Sequence, residues 1–571
     1  MTQAPTTDLL ARARTWLAED PDPQTREELA ALLAAAEGPD AESDSKLAWS
    51  RLAERFSDRL QFGTAGLRGE LGAGPMRMNR AVVIRAAAGL VAYVKKENLG
   101  DLVVIGYDAR HKSFDFARDT AAVVVGAGLR AALLPRALPT PVLAFAVRHL
   151  GAAAGVTVTA SHNPPQDNGY KVYLGDGSQI VPPADAGIAA EIDAIGSLAE
   201  VPLAEDGWDV VGEDVVDAYL ARAVSIVDPH SPRDLAVVYT PMHGVGRDTL
   251  VAAFDRAGFP APTVVAEQAE PDPDFPTVAF PNPEEPGAMD LAFRTAAAVG
   301  PDIVIANDPD ADRCAVAVPA NGTAGGDGTG WRMLRGDDVG ALLGAALVAK
   351  RATGTFATTI VSSTLLGRIA EAAGLGYAET LTGFKWIARA DGLRYGFEEA
   401  LGYCVDPQGV RDKDGITAAL LVAELAATLK RSGRTLADLL DDLALEHGLH
   451  ATDQLSVRVE DLALIAEAMQ RLRERPPTVL AGLTVTRADD LTAGSADLPP
   501  TDGLRYYLAG EGVRSARIVV RPSGTEPKLK CYLEVVLPVG SAADLAPARE
   551  RAAELLGAIK RDLAAAAGID A

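Results

Sequence analysis

From residue 101 the sequence alternates short apolar runs with longer stretches of helical periodicity: "DLVVIGYDAR", "FARDTAAVVVGAGL", "RAALLP", "TPVLAFAVRHLG" and "AAGVTVTA". Such alternation favours mainly parallel strands joined by helices that cover the sheet. The pattern restarts at "DLAVVYTPMHGVG" and again at "GDDVGALLGAALVAK". Ahead of it, "LLARARTWLAE" and "REELAALLAAAE" place Leu and Ala at helical spacing, which predicts a helical N-terminal segment. Towards the C-terminus the texture changes, with "DQLSVRVEDLALIAEAMQRLRER", "ARIVVRPSGTEPKLKCYLEVVL" and a closing Ala-rich helix. A chain of 571 residues is too long for one core. The expected fold class is α/β: three similar α/β domains and a smaller α+β C-terminal domain. Boundaries are placed at 1–230 (N-terminal helices with the first domain), 231–334, 335–449 and 450–571.

The formal net charge of −24 argues against nucleic acid or an anionic membrane as partner, since either calls for a basic surface. If the substrate is an anion, basic side chains must be gathered at one site. No apolar run approaches the roughly 18–20 residues that span a bilayer, and the N-terminus lacks a basic region followed by an apolar block. Three cysteines, Cys314, Cys404 and Cys531, supply no disulfide framework, so a cytoplasmic protein is expected.

Three loops carry chemistry. "TVTASHNPPQDNGYKVY" delivers Ser161 and His162 at a strand end and brings Lys171 back after an expected Asn-Gly turn. Read alone, Ser-His-Asn-Pro is compatible with a structural Asx- or ST-turn as well as with a reacting serine. "NDPDADR" sets Asp308, Asp310 and Asp312 two residues apart after a strand. Three carboxylates so close repel unless a cation neutralises them, and hard oxygen ligands suit Mg²⁺; a solvated acidic turn is the other reading. It is no EF-hand, because Arg313 and Pro319 stand where that loop needs Gly and Glu. "RPSGTEPKLK" offers Arg521, Ser523, Thr525 and Lys528 around Gly524, a set suited to an anion or to a basic hairpin turn. Weaker singly are Arg68 in "GTAGLRG", Arg110, His111 and Lys112 in "YDARHKS", Lys385 in "TGFKW", and Glu398 and Glu399 in "GFEEALG".

Together, "TASHNP", "DPDADR", "GFEEALG" and "RPSGTEPK", in that order and one per domain, resemble the α-D-phosphohexomutase family, which includes phosphoglucomutases and phosphomannomutases. The resemblance implies a heart-shaped molecule of four domains around a central cleft. It implies that Ser161 is a phosphoserine and, through its phosphate, a ligand of Mg²⁺ beside Asp308, Asp310 and Asp312. Lys171, Arg68 and His162 would serve at the reacting group. Lys385, Glu398 and Glu399 would contact the sugar, and Arg521, Ser523, Gly524, Thr525 and Lys528 would hold the phosphate that is not transferred.

The third motif departs from the family's commonest G-E-x-S-G-H pattern, with Leu401 in place of the serine and Tyr403 in place of the histidine. "GFEEALGY…DKDG" and "TGFKW" look more like the branch that holds phosphopentomutase and glucose-1,6-bisphosphate synthase. The expected activity is phosphoryl movement between the 1- and 6-positions of a hexose, glucose phosphates preferred and mannose phosphates accepted. Glucose 1,6-bisphosphate would be the intermediate and activator. The alternatives are a pentomutase, a bisphosphate synthase and a metal-dependent sugar phosphatase. A non-catalytic sugar-phosphate sensor is a further reading, but it has no need of Ser161, the aspartates and Lys171 together. The expected partners are small sugar phosphates, and the chain is expected to be a monomer or homodimer.

Overall fold

Side-chain caps mark some of the helix starts. Asp22 accepts a hydrogen bond from the Gln24 amide and Pro23 opens the second helix; Asn79 caps a later one through the Val82 amide. The computed structural model describes residues 3–38, 42–63, 66–320, 330–459, 462–495, 498–523 and 528–569. They form two compact units, Met1–Arg332 with Asp406–Leu420, and Met333–Val405 with Leu421–Ala571. Among the described residues, no helix is long and apolar enough to cross a membrane.

In the first unit, α1 (Gln3–Glu19), α2 (Pro23–Glu37) and α3 (Glu42–Arg55) pack around Leu29, Leu33, Leu52 and Phe56. The next sheet uses β1 (Leu67–Glu70), β2 (Leu102–Tyr107), β3 (Arg130–Leu133), β4 (Ala154–Val158), β5 (Asp167–Leu174) and β6 (Asp209–Val210), in the order β1-β5-β4-β2-β3-β6. Helix α4 (Arg80–Lys96) buries Val83, Ala87, Leu90 and Val94 in the core of this domain. The centre of the sheet is parallel, as the alternation predicts, while β5 runs antiparallel to both β4 and β1.

That edge corrects one expectation. Asn168 and Gly169 make no turn; they lie inside β5, and Gly169 is needed because a Cβ there would sit 2.5 Å from the Thr159 carbonyl oxygen. The reversal falls earlier, in the loop after Ser161. Lys171 then pairs opposite Thr157, so strand register rather than turn chemistry sets its position.

The second sheet comprises β7 (Val237–Thr240), β8 (Thr263–Val264), β9 (Ile303–Ala306), β10 (Ala315–Pro319) and β11 (Trp331–Met333), in the order β11-β10-β9-β7-β8. Asp406–Leu420 packs with this unit. Asp406 pairs with Arg222 at 2.6 Å, while Asp412 and Asp414 accept hydrogen bonds from the buried hydroxyls of Tyr173 and Tyr219.

The second unit has a sheet of β12 (Thr355–Thr359), β13 (Gly376–Thr380), β14 (Leu393–Glu398) and β15 (Gly402–Cys404), ordered β13-β12-β14-β15. Its other sheet is antiparallel throughout. The strands β16 (Leu449–Arg458), β17 (Val479–Leu480), β18 (Leu483–Asp490), β19 (Leu504–Gly510), β20 (Val513–Pro522) and β21 (Lys528–Leu537) run in the order β16-β21-β20-β19-β18-β17. Helices Leu462–Glu474 and Leu545–Ala567 cover it through Met469, Leu472, Leu556 and Ile559. This is the α+β C-terminal domain that the change of sequence texture predicts.

Candidate active site

Ser161 stands three residues beyond β4, buried, with φ of 52°. A serine in the left-handed region is held there by its surroundings. Its amide donates to Thr159 Oγ1 at 2.9 Å. The larger constraint is Arg110, whose guanidinium donates to the carbonyl oxygens of Ser161, Asn163, Pro164 and Asp167 at 2.6, 2.5, 2.8 and 3.1 Å. Asp108, 3.5 Å away, and the ring of Phe275 hold that guanidinium in turn. In the sequence Arg110 is one of three basic residues in a loop; in the structure it frames the whole Ser161 turn. Arg68 reaches the same turn from β1 and donates to Asn163 Oδ1 at 3.0 Å.

The acidic loop between β9 and β10 brings Asp308, Asp310 and Asp312 together, all buried, each offering an oxygen within 4.8 Å of the others. Ser161 Oγ donates to Asp308 Oδ2 at 2.6 Å, and His162 Nδ1 lies 3.2 Å from the same Oγ. Lys171 donates to Asp310 at 2.7 Å and to Asp312 at 2.9 Å. Thr140 donates to Asp310 at 2.7 Å, and Lys413 lies 3.3 Å from Asp312. The Oδ1 atoms of Asp310 and Asp312 are buried with no hydrogen-bond partner among the described residues. Orphaned acceptors on clustered carboxylates are a donor set that fits a hard divalent cation.

The charges respond to this packing. Burial first, then Asp310 and Asp312, pushes Asp308 well above the usual carboxylate range. Burial also acts to raise Asp312, but Lys171, Lys413 and Arg313 together hold it low. For Lys171 burial opposes the charge, yet Asp310 and Asp312 outweigh it and keep the ammonium protonated. Burial, then the nearby Arg313 and Arg68, holds His162 well below its ordinary value, so it is a neutral imidazole.

In the second unit Glu399 follows β14 and accepts hydrogen bonds from Ser362 at 3.2 Å and Thr359 at 3.4 Å. Its neighbour Glu398 closes β14, and Lys385 lies on the short helix Phe384–Ile387. Leu401 and Tyr403 are buried, the Tyr403 hydroxyl donating to the Gly336 carbonyl oxygen. These replacements belong to the packing beneath the loop. A network that the sequence did not disclose fixes the Ser362–Ser363 turn. Ser363 Oγ donates to Glu534 at 2.7 Å, and Arg517 pairs with Glu379 at 2.7 Å while also donating to the Ser362 carbonyl oxygen. Arg521 lies next to last in β20, beside its hydrogen-bond partner Tyr532, and the Ser523 amide donates to the Lys528 carbonyl oxygen at 2.8 Å. Gly524 and Thr525 lie outside the described residues.

Asp337 accepts the Ser363 amide at 2.7 Å, and burial pushes its carboxyl up to about 7. The unfolded chain releases that proton near 3.8, so within this window the folded protein holds a proton that the unfolded chain does not. Stability from this group is lost as pH rises through the window. Asp337→Asn keeps an acceptor for the amide without the charge. Its unfolding free energy should therefore fall less than that of the wild type between about pH 5 and pH 8, the difference reaching a few kcal/mol. Calorimetry at both values checks this; equal slopes refute it.

Comparison with known proteins fits this geometry. Phosphoglucomutase/phosphomannomutase α/β/α domains I, II and III match residues 59–199, 217–322 and 335–446, and the C-terminal domain of the same family matches 455–552. The chain belongs to the phosphoglucomutase/phosphomannomutase family. It is a phosphosugar mutase with the family's four-domain α/β fold. It is 48% identical to a "Probable phosphomannomutase" of Haemophilus influenzae, over 80% of this chain and 93% of that one. It is 35% identical to the phosphopentomutase of Mus musculus, over 95% and 93%. The crystal structure of a phosphomannomutase-like protein from Thermus thermophilus superposes with a TM-score of 0.67 at 27% identity, covering 88% of this chain and 99% of that one.

Proposed function

We propose that this mutase moves a phosphoryl group between the 1- and 6-positions of a hexose by way of a phosphoserine at Ser161 and a sugar bisphosphate, glucose 1,6-bisphosphate for glucose substrates. The observation that carries this reading is the Ser161 hydroxyl 2.6 Å from Asp308, at the head of three buried aspartates. Asp308, Asp310 and Asp312 would hold Mg²⁺, which when bound offsets phosphate charge and polarises the phosphoryl oxygens. A phosphoserine carries about −1.5 to −2 charge, so an incoming hydroxyl approaches an anion. Lys171 and Arg68 supply fixed positive charge beside it. The sugar oxygen bonds to phosphorus as the bond to Ser161 Oγ breaks. The hydroxyl proton leaves as Ser161 Oγ gains one. Lys171, held charged by Asp310 and Asp312, is the neighbour with a proton to give, while His162, a neutral imidazole 3.2 Å from Oγ, can take the hydroxyl proton when the step runs in reverse. After the bisphosphate turns over, the same steps run in reverse on its other phosphate.

Glu399, steadied by Ser362 and Thr359, can accept bonds from neighbouring sugar hydroxyls. A pyranose presents such a pair differently from a furanose 5-phosphate. With Leu401 buried in place of a serine, discrimination between hexoses softens to ~10–200-fold. The order expected for kcat/KM is glucose 1-phosphate, then mannose 1-phosphate, then ribose 1-phosphate, each measured with glucose 1,6-bisphosphate present. A pentose value above both hexoses overturns the hexose assignment and favours the pentomutase reading, which the 35% identity to the mouse enzyme keeps in play. Net phosphate release without a bisphosphate requirement would instead show a phosphatase.

Arg521, Ser523 and Lys528, with Gly524 and Thr525, would grip the phosphate that is not transferred. That contact exists in ground and transition states alike, so Arg521→Ala should raise KM by about tenfold or more while kcat changes less. One loop serves both orientations of the bisphosphate, so the effect should be similar in both reaction directions. An unchanged KM refutes the assignment.

A further inference from the structure

Three helices begin at the acidic loop. Thr140 opens the helix Thr140–His149, Gly415 opens Gly415–Arg431, and Val245 directly precedes Gly246–Arg256. The first amides of a helix have no partner inside it. Here they are directed at consecutive carbonyl oxygens of the loop. Val245 donates to Pro309 at 2.8 Å, Thr140 to Asp310 at 2.9 Å and Gly415 to Ala311 at 3.2 Å. A fourth bond holds the loop's far end, where Asn307 Nδ2 donates to the Arg313 carbonyl oxygen at 2.5 Å. The Tyr239 hydroxyl fixes that amide by donating to Asn307 Oδ1 at 2.9 Å.

Two glycines let these segments come so close. A Cβ on Gly244 would lie 2.3 Å from Pro309 Cα, and one on Gly415 would lie 2.2 Å from the Arg313 carbonyl oxygen. The loop therefore rests directly on backbone. The turn ahead of Gly244 is held in place as well. Met242 and His243 are both left-handed, with φ of 48° and 58°, and their amides donate to Thr240 Oγ1 and the Gln268 carbonyl oxygen at 3.0 Å. Inside the loop Ala311 is left-handed too, with φ of 53°. Such residues persist where their surroundings over-determine them.

On this clamped backbone stand the Oδ1 atoms of Asp310 and Asp312, buried and with no hydrogen-bond partner among the described residues. Mg²⁺ takes oxygens at about 2.0–2.1 Å in a near-ideal octahedron. Ca²⁺ takes roughly six to eight at about 2.3–2.6 Å in a looser shell. Carboxylates that cannot spread suit the smaller ion. On the reading that the three aspartates hold the cation, we propose that the converging helix starts make the loop select Mg²⁺ over Ca²⁺. Gly244 and Gly415 are the positioning residues of this clamp.

Titration calorimetry with Mg²⁺ and with Ca²⁺ tests it on chelator-stripped, full-length protein, with intact mass showing one phosphorylation state at Ser161. The wild type should bind Mg²⁺ more tightly than Ca²⁺. Gly244→Ala and Gly415→Ala should each weaken Mg²⁺ by about 10–100-fold, as changes around a metal's ligands do, and Ca²⁺ by less than about threefold. Both variants press on backbone and should melt earlier. Lost stability alone weakens both ions alike, so the ratio of the two Kd values separates the roles. Tyr239→Phe removes one buried hydroxyl and adds no atom, which keeps the test open should a glycine variant fail to fold. Its ratio should shift the same way by about threefold. A wild type that binds Mg²⁺ without preferring it, or a ratio unchanged in any folded variant, overturns the clamp and leaves the aspartates as metal ligands. A wild type that binds neither cation overturns the metal reading and the clamp together.

Discussion

Ser161→Ala is expected to lower kcat by on the order of 10⁴-fold or more while leaving the fold intact. The size follows from the role proposed for the hydroxyl. Without Oγ the phosphoryl group has no resting place between its two positions on the sugar, and no neighbouring group can substitute without rebuilding the turn. The fold should survive because the turn rests mainly on backbone carbonyl oxygens gripped by Arg110, and alanine keeps every one of them. The left-handed φ is about as costly for alanine as for serine, so a modest loss of melting temperature is the most that should appear. Intact mass and peptide mapping of the wild type, after incubation with glucose 1,6-bisphosphate, should place the phosphate on Ser161. A phosphoryl group found on another residue, or a Ser161→Ala enzyme that still turns over, defeats the assignment.

The sequence made the Ser161 site legible because its parts sit at strand ends, where alternating elements fix a loop's position within a few residues. The three aspartates could be gathered from spacing alone, since they share one short loop. Lys171 is legible as a neighbour of Ser161, but the turn that its surroundings suggest is absent. An Asn-Gly pair reads as a turn, and only the close carbonyl of Thr159 shows why a glycine is needed inside β5. Thr140 is not legible as a site residue, and Arg110 only as one weak candidate in a basic loop. Each acts on a loop far along the chain, Arg110 on the Ser161 turn and Thr140 on Asp310. Nothing in local periodicity reports such pairings. Lys413 escaped for the same reason: Asp406–Leu420 leaves the segment in which the sequence places it and returns to the first unit. Leu401 and Tyr403, conspicuous as departures from a motif, turn out to be packing residues.

Asp310→Asn should separate cation binding from the hydrogen bonds that build the acidic loop. In the wild type, Oδ2 of Asp310 accepts from Thr140 and Lys171, while Oδ1 is buried with no partner among the described residues. An asparagine that keeps its oxygen toward Thr140 and Lys171 retains both bonds. Its amide nitrogen then occupies the Oδ1 position, where a cation needs an acceptor and would meet a donor instead. Residues one shell out from a metal cost 10–100-fold when changed, so loss of a ligand should weaken Mg²⁺ by about 100-fold or more, with turnover falling in parallel. Titration calorimetry with Mg²⁺ and Mn²⁺ reads the affinity independently of activity. Chelation by EDTA should abolish wild-type turnover, and added Mg²⁺ should restore it. Lys171 keeps Asp312 as partner, so the variant should fold and melt much as the wild type does. Were Asp310→Asn to bind Mg²⁺ normally, or rigorously chelated enzyme to stay fully active, the aspartates would be a structural acidic turn held by Lys171, Lys413, Thr140 and Ser161.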